Sequence, residues 1–167
     1  VIVREALPDE LAVIGDLRVA AYQADGFLSE TPGYTATLRA LGGSGTDDVL
    51  AAVDGGQILG TVMLQHWPYA GKVVWGPGEA EIRALAVAPR ARGRGIGRAL
   101  VTAVMERAID RQVRHLLLFT LPQMRAAHHL YAEAGFSRLP DRDWSPEPGV
   151  ILLAYGQVLG AMAAPPG

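Results

Sequence analysis

Cysteine is absent from the 167 residues, so no disulfide can form and no thiol nucleophile is available. That absence fits a reducing compartment, and a cytoplasmic location is expected. Long apolar runs are scarce as well. The longest, Val150 to Ala164, is broken by Gln157 and small residues and falls short of the roughly 20 residues that span a bilayer. No membrane partner is expected. Arg4, Glu5, Asp9 and Glu10 leave no room for the charged head and apolar run of a signal peptide. Excess charge of one sign is missing too, because the formal net charge is −2. Nothing attracts nucleic acid to the chain as a whole. Two nucleotide motifs are lacking: no G-x-x-x-x-G-K-[ST] occurs, and the glycines of the one glycine-rich turn run G-x-G-x-G rather than G-x-G-x-x-G. The histidines His66, His115, His128 and His129 show no ligand spacing, and no metal is expected. His128 reads as a solvated helix residue.

What is present centres on Glu81 to Leu100, EIRALAVAPRARGRGIGRAL. An apolar strand is stopped by Pro89, and a helical pattern opens near Gly95 with Ile96, Leu100 and Val104. Gly93, Gly95 and Gly97 remove the Cβ atoms that would hold a ligand off the backbone. Successive N–H groups and the positive end of the new helix can then converge on an anion. Arg90, Arg92, Arg94 and Arg98 add planar cationic donors suited to phosphate oxygens. The turn is expected to bind a polyanionic phosphate. An RNA-binding reading of the same arginines lacks interleaved aromatics and is bracketed by ordered elements.

Elsewhere the pattern is that of one domain over residues 1–160, with Ala161 to Gly167 a flexible tail. Val1 to Ala6 reads as an edge strand. Pro8-Asp9-Glu10 opens a helix whose stripe is Leu11, Ile14, Leu17 and Val19 to Ala21. Apolar Phe27 and Leu28 in the following loop suggest a pocket wall, and Tyr34 to Leu41 a second helix. Asp54-Gly55-Gly56 joins strands Val49 to Val53 and Ile58 to Leu64 as a hairpin. Glu81 to Val87 is the central strand, Gly95 to Asp110 a helix, and Val113 to Thr120 a strand covered on both faces. Thr120 and Gln123 form a capping box for a helix that stops at Gly135. Phe136 to Leu139 and Val150 to Tyr155 complete an α/β (α+β) architecture, a single mixed, mostly antiparallel sheet with helices on both faces.

Leu85-Ala86-Val87-Ala88-Pro89 followed by Arg92-x-x-Gly95-x-Gly97, and later Leu130-Tyr131-Ala132-Glu133-Ala134-Gly135-Phe136, resemble the acetyl-CoA signature and the L-Y-x-x-x-G-F segment of the GNAT superfamily of N-acetyltransferases. The resemblance covers about Asp47 to Tyr155. It implies that acetyl-CoA is a co-substrate held at Leu85, Ala86, Val87, Arg92, Gly93, Arg94, Gly95, Ile96, Gly97, Arg98 and Ala99. The pyrophosphate would sit on the turn. The pantetheine amides would pair with the backbone of Leu85 and Val87, where the central strand and its neighbour splay apart. Tyr131 would protonate the departing thiolate. Its phenol, of ordinary pKa about 10, carries its proton at neutral pH. Met124 departs from the family, which often has an asparagine seven residues before this tyrosine.

An alkylammonium acceptor must lose a proton before attack. Strand alternation puts Glu79, Glu81 and Arg83 on one face, so Glu81 and then Glu79 are candidate bases, with an ion pair to Arg83 or plain exposure as the alternative. A small-molecule amine is the expected acceptor. Phe27, Glu30, Tyr34, Asp141, Asp143 and Trp144 are candidates to frame its pocket. A non-catalytic acyl-CoA sensor, or an enzyme acting on protein N-termini or lysines, are the competing readings. The apolar final strand leaves room for a homodimer.

Overall fold

A computed structural model of the chain describes residues 1–29, 31 and 33–160. Glu30 and the tail Ala161 to Gly167 lie outside the described residues. Eight strands form one open mixed sheet in the order β1-β2-β3-β4-β5-β8-β6, with β7 paired to β8. Two compact units arise by contact: residues 1–63 with 84–104, and residues 64–83 with 105–167. The strands β3 (Gln57–His66) and β4 (Glu79–Val87) and the helix α3 (Ile96–Asp110) each run from one unit into the other.

In the first unit, β1 (Ile2–Glu5) pairs antiparallel with β2 (Asp48–Asp54), from Ile2↔Val53 to Glu5↔Leu50. Gly55 and Gly56 take φ of +57° and +79° between β2 and β3. Two successive positive φ values define the mirror-image turn whose twist suits a hairpin, so the Asp-Gly-Gly expectation holds. The first helix α1 (Leu11–Ala24) is preceded by a single 3-10 turn at Pro8–Glu10. Glu10 fixes that turn by accepting from the Leu7 N–H at 2.8 Å and from both terminal nitrogens of Arg4 at 2.9 Å.

Ile14 packs with Val49, Ala51 and Met63, while Val19 packs with Leu28, Leu38 and Ala84. Leu28 is therefore core rather than pocket wall, and Phe27 sits edge-on to Tyr22 with ring centres 6.1 Å apart. The turn at 25–28 folds back on α1 because it carries the apolar groups that cover the helix end. Arg18, invisible to a hydrophobic stripe, is fully buried and donates to the carbonyls of Leu38 and Leu41 at 3.3 and 2.8 Å. It thereby caps the C-terminal end of α2 (Tyr34–Ala40) with a cation.

In the second unit, β5 (His115–Thr120) runs parallel to β4 over Glu79↔His115 to Ile82↔Leu118 and antiparallel to β8 (Val150–Val158) over its whole length. The short strands β6 (Ser137–Arg138) and β7 (Trp144–Glu147) also pair with β8. Trp144 thus lies at the start of a strand rather than in an open loop. The helix α4 (Arg125–Glu133) begins four residues later than the Thr120 cap implies. Thr120 ends β5, and the Met124 N–H closes a turn on the Leu121 carbonyl at 3.1 Å. The Thr120 hydroxyl donates instead to the Leu121 carbonyl at 3.4 Å, and Met124 stands at the N-cap position of the helix.

Gly60 shows how closely the start of α3 approaches β3. A Cβ there would lie 2.9 Å from Leu100 Cδ1, 3.0 Å from Ile96 Cγ2 and 3.1 Å from the Ala86 carbonyl. Replacing Gly60 by alanine should destabilise the fold by about 1–3 kcal/mol through overpacking, read as a lower urea midpoint at unchanged slope.

Candidate active site

The glycine-rich turn occupies residues 92–95, between a 3-10 turn at Pro89–Ala91 and the first residue of α3. Gly93 and Gly95 have φ of +76° and +78°, and a Cβ at either would meet nothing within 4 Å. Both glycines are required by backbone conformation and open onto solvent. Ile96 is 2 % exposed and Leu100 fully buried, so the helix start is anchored from below while Arg92, Arg94 and Arg98 remain outside. Gly97 and Ala99 are half-buried within the first turn.

The arginines are not idle. Arg92 pairs with Asp25 at 2.6 Å and donates to the Ala21 carbonyl at 3.2 Å, closing the end of α1. Arg94 pairs with Asp54 at 3.1 Å. All four partners are between a third and a half exposed, and such pairs contribute at most about 1 kcal/mol. A polyanion can replace either carboxylate at little cost.

Strand β4 changes character along its length. Its ladder to β5 ends at Ile82, and Ala84 then takes φ of +54°, a left-handed conformation that costs a non-glycine residue about 1–2 kcal/mol. Strict alternation had no place for this turn in mid-strand. Leu85 and Val87 are half-buried and Ala86 buried, and the Ala88 N–H returns to the Leu59 carbonyl at 2.8 Å.

The two glutamates of β4 have different surroundings. Glu79 accepts from Arg142 through both terminal nitrogens at 2.7 and 2.9 Å, from His115 Nδ1 at 2.8 Å and from the Trp75 N–H at 2.9 Å. Burial pushes its pKa up, but the Arg142 hydrogen bonds, the Trp75 N–H, His115 and the Arg142 charge outweigh it and hold the group at about 2. A carboxylate so stabilised is a weak base. Its ion pair is with Arg142; Arg83 donates to Gln65 at 3.2 Å. Glu81, two residues on and on the same face, is 7 % exposed. Its register partner Leu117 packs under Ala70 and Val74, so the segment before β4 roofs that face.

Tyr131 is 6 % exposed on α4. The Phe136 N–H donates to the Tyr131 carbonyl at 3.0 Å and the Gly135 N–H to the Ala132 carbonyl at 3.1 Å, with Gly135 at φ +96°. These two bonds make a Schellman stop, and its usual apolar contact is the Tyr131 and Phe136 rings, edge to face at 5.9 Å. The L-Y-x-x-x-G-F segment is thus a helix terminator that clamps its own tyrosine. His128 is not a solvated residue: Nε2 lies 3.0 Å from the Leu121 carbonyl and the ring packs on Tyr155. Asp143, expected near the acceptor, is tied to Arg138 at 2.7 and 2.8 Å and to the Ala154 N–H at 2.7 Å. Hydrogen bonds from Arg138 hold its carboxyl below the ordinary value. Sequence reasoning missed Arg142, whose only signal was a cation in a loop of acids. Among the described residues no group of three or more His, Asp or Glu side chains could hold a metal ion, and no helix is long and apolar enough to cross a membrane.

A family model described as Acetyltransferase (GNAT) family matches residues 16–136. Two curated relatives, each a mycothiol acetyltransferase, align with the chain. The one from Cellulomonas flavigena is 37 % identical over 91 residues, 53 % of this chain and 26 % of its own length. That from Tsukamurella paurometabola is 34 % identical over 95 residues, 57 % of this chain and 29 % of its own. The chain therefore spans little more than a quarter of either relative. Among solved structures, a GNAT acetyltransferase from Desulfovibrio desulfuricans superposes with a TM-score of 0.74 at 19 % identity, covering 94 % of this chain and 98 % of that one. A ribosomal-protein-alanine N-acetyltransferase from Brucella melitensis gives 0.70 at 23 %, covering 95 % and 100 %. An acetyltransferase from Salmonella typhimurium, solved with its cofactor acetyl-CoA, gives 0.68 at 19 %, covering 99 % and 98 %. At these identities the structural likeness is one of fold.

The Glu79 network carries a pH signature. A folded pKa of about 2 against an ordinary 4.5 means the stability Glu79 supplies is complete above about pH 5 and is lost as pH falls through about 2. Glu79→Gln should flatten the acid limb of unfolding free energy against pH, measured by urea titration from pH 7 down to about 2.5.

Proposed function

The chain belongs to the acetyltransferase (GNAT) family, and from that premise we propose that it moves an acetyl group from acetyl-CoA to the primary amine of a small molecule by direct attack in a ternary complex. The observation that carries this reading is the pair of left-handed glycines, Gly93 and Gly95, open to solvent at the start of α3. They stand beside the positive end of a fifteen-residue helix with open space at each Cβ position, an arrangement suited to a pyrophosphate. Arg92, Arg94 and Arg98 supply positive potential at the same turn, and the residues from Ile96 to Ala99 supply the helix end. The half of β4 beyond the β5 ladder, Leu85 to Val87, offers backbone groups to the pantetheine arm as an added strand would.

The chemistry needs a base for the ammonium and an acid for the thiolate. Glu81 takes the proton of the acceptor ammonium, since Glu79 is held ionised by its own partners. The amine nitrogen then bonds to the thioester carbon, and collapse of the adduct breaks the carbon–sulfur bond. Tyr131, held by the Schellman stop, gives its hydroxyl proton to the departing thiolate and regains one from the adduct nitrogen, which leaves a neutral amide, a free thiol and the phenol restored. No acyl-enzyme is required, in keeping with a chain that has no cysteine. The mycothiol acetyltransferase relatives support a small-molecule acceptor over a protein one.

Calorimetric titration with acetyl-CoA, joined to a free-thiol assay over an amine panel, tests this. Micromolar binding and amine-dependent thiol release are expected. Gly95→Ala, which forces a Cβ into a left-handed conformation, should weaken acetyl-CoA binding at least about tenfold. Tyr131→Phe should leave that affinity unchanged and lower kcat by about 10- to 100-fold. Glu81→Gln should lower kcat/KM with partial recovery at high pH, where the amine deprotonates unaided. Failure of acetyl-CoA to bind the wild-type protein would overturn the proposal.

A further inference from the structure

Three tryptophans occur in the chain, and all three are at the surface of the second unit: Trp67 is 45 %, Trp75 69 % and Trp144 36 % exposed. Exposed tryptophan is unusual enough to ask what each ring does. Trp75 is the informative one. The Arg142 guanidinium carbon lies 3.5 Å from the centre of its ring, and Arg142 is itself only 8 % exposed. The same guanidinium is fixed by Glu79 through both terminal nitrogens and by the Val73 carbonyl at 2.8 Å. The backbone N–H of Trp75 also donates to Glu79, at 2.9 Å. A large apolar ring is thus immobilised on one side and left open on the other.

Its position follows from β4. Glu79 and Glu81 share a face and lie about 7 Å apart along an extended strand. The clamp that holds Trp75 therefore stands one same-face step from the candidate base. Beneath the roof, Leu117 touches Ala70 and Val74, so the segment carrying Trp75 is seated over that face rather than hanging clear of it.

The buried cation decides what the open side of Trp75 prefers. An aromatic face already in contact with a guanidinium has its negative quadrupole engaged, and a second cation across the ring would meet the field of the first. The ring is therefore poorly suited to the ammonium and well suited to an apolar or aromatic body. We propose that Trp75, positioned by Arg142, is the acceptor-recognition residue of this enzyme and selects primary amines carried on an aromatic or bulky apolar group, with that group against Trp75 and the amine directed toward Glu81. This rests on Glu81 as the base.

The test compares 2-phenylethylamine with cadaverine, an aliphatic diamine, by calorimetry and by thiol release with acetyl-CoA. The aromatic amine should bind at least tenfold more tightly. Trp75→Leu, at an exposed position that does not threaten folding, should raise Kd and KM for 2-phenylethylamine about tenfold, leaving kcat and acetyl-CoA affinity unchanged. Arg142→Lys keeps the charge but loses the planar stack and the two-pronged grip on Glu79, so KM should rise while the pH profile of kcat stays put. Equal affinity for the two amines, or wild-type behaviour of Trp75→Leu, overturns the inference. Binding is measured independently of turnover: tight, Trp75-dependent amine binding without thiol release would count against Glu81 and Tyr131 as catalysts and in favour of the recognition site.

Discussion

A half-buried carboxylate must be satisfied, and the satisfaction of Glu79 organises the second unit. Arg142 comes from the turn after β6, His115 from the start of β5 and the Trp75 N–H from the segment before β4, and all of them meet at one side chain. His115 belongs to a strand paired on both sides, whereas the Trp75 and Arg142 segments are short turns, and Glu79 ties both turns to that strand at one end of β4. The partners that make Glu79 a good anchor make it a poor base.

The glycine turn works by a different device. Its shape comes from backbone conformation, since within the turn Gly93 and Gly95 take φ values that bulkier residues resist. Arginine side chains add to the field, yet Arg92 and Arg94 are held by Asp25 and Asp54 at exposed positions where such pairs are weak. That weakness is useful. A buried pair would resist exchange, whereas these can trade a carboxylate for a phosphate with little change in free energy, and the arginines meanwhile brace the end of α1 and the β2–β3 hairpin.

Much of this was legible in the sequence where one residue dictates one conformation. Gly55-Gly56 forced a hairpin, Gly93 and Gly95 a left-handed turn, Gly135 a helix stop, and the alternation in β4 separated Ala80 and Ile82 from the glutamates. Sequence reading failed where the partner is distant. The ring of charge around Glu79 joins residues 36 and 63 positions away, and no local pattern marks it. Arg18 was unreadable for a related reason: an arginine on a helix scores as solvent-facing unless the carbonyls of Leu38 and Leu41 are known to await it. Thr120 misled because its hydroxyl turns to the Leu121 carbonyl while a turn at 121–124 delays the helix. Ala84 gave no warning at all, since alanine is not a residue expected at positive φ.

These two kinds of information divide along functional lines. The segments that carry the family resemblance, from Leu85 to Pro89, Arg92 to Gly97 and Leu130 to Phe136, are short, contiguous and dictated by glycines and helix ends, so they read as motifs. The segments clustered around Glu79, residues 67–75 and 140–142, contain no motif, because their geometry is fixed by an ion pair and a stacked ring rather than by backbone conformation. Backbone-dictated sites tolerate little change, since a Cβ at a left-handed glycine is strained in any context. Side-chain clamps admit many solutions, because any cation that reaches Glu79 can carry a different ring with it. A scaffold built this way can keep its backbone-dictated turn constant while the ring that the clamp presents changes.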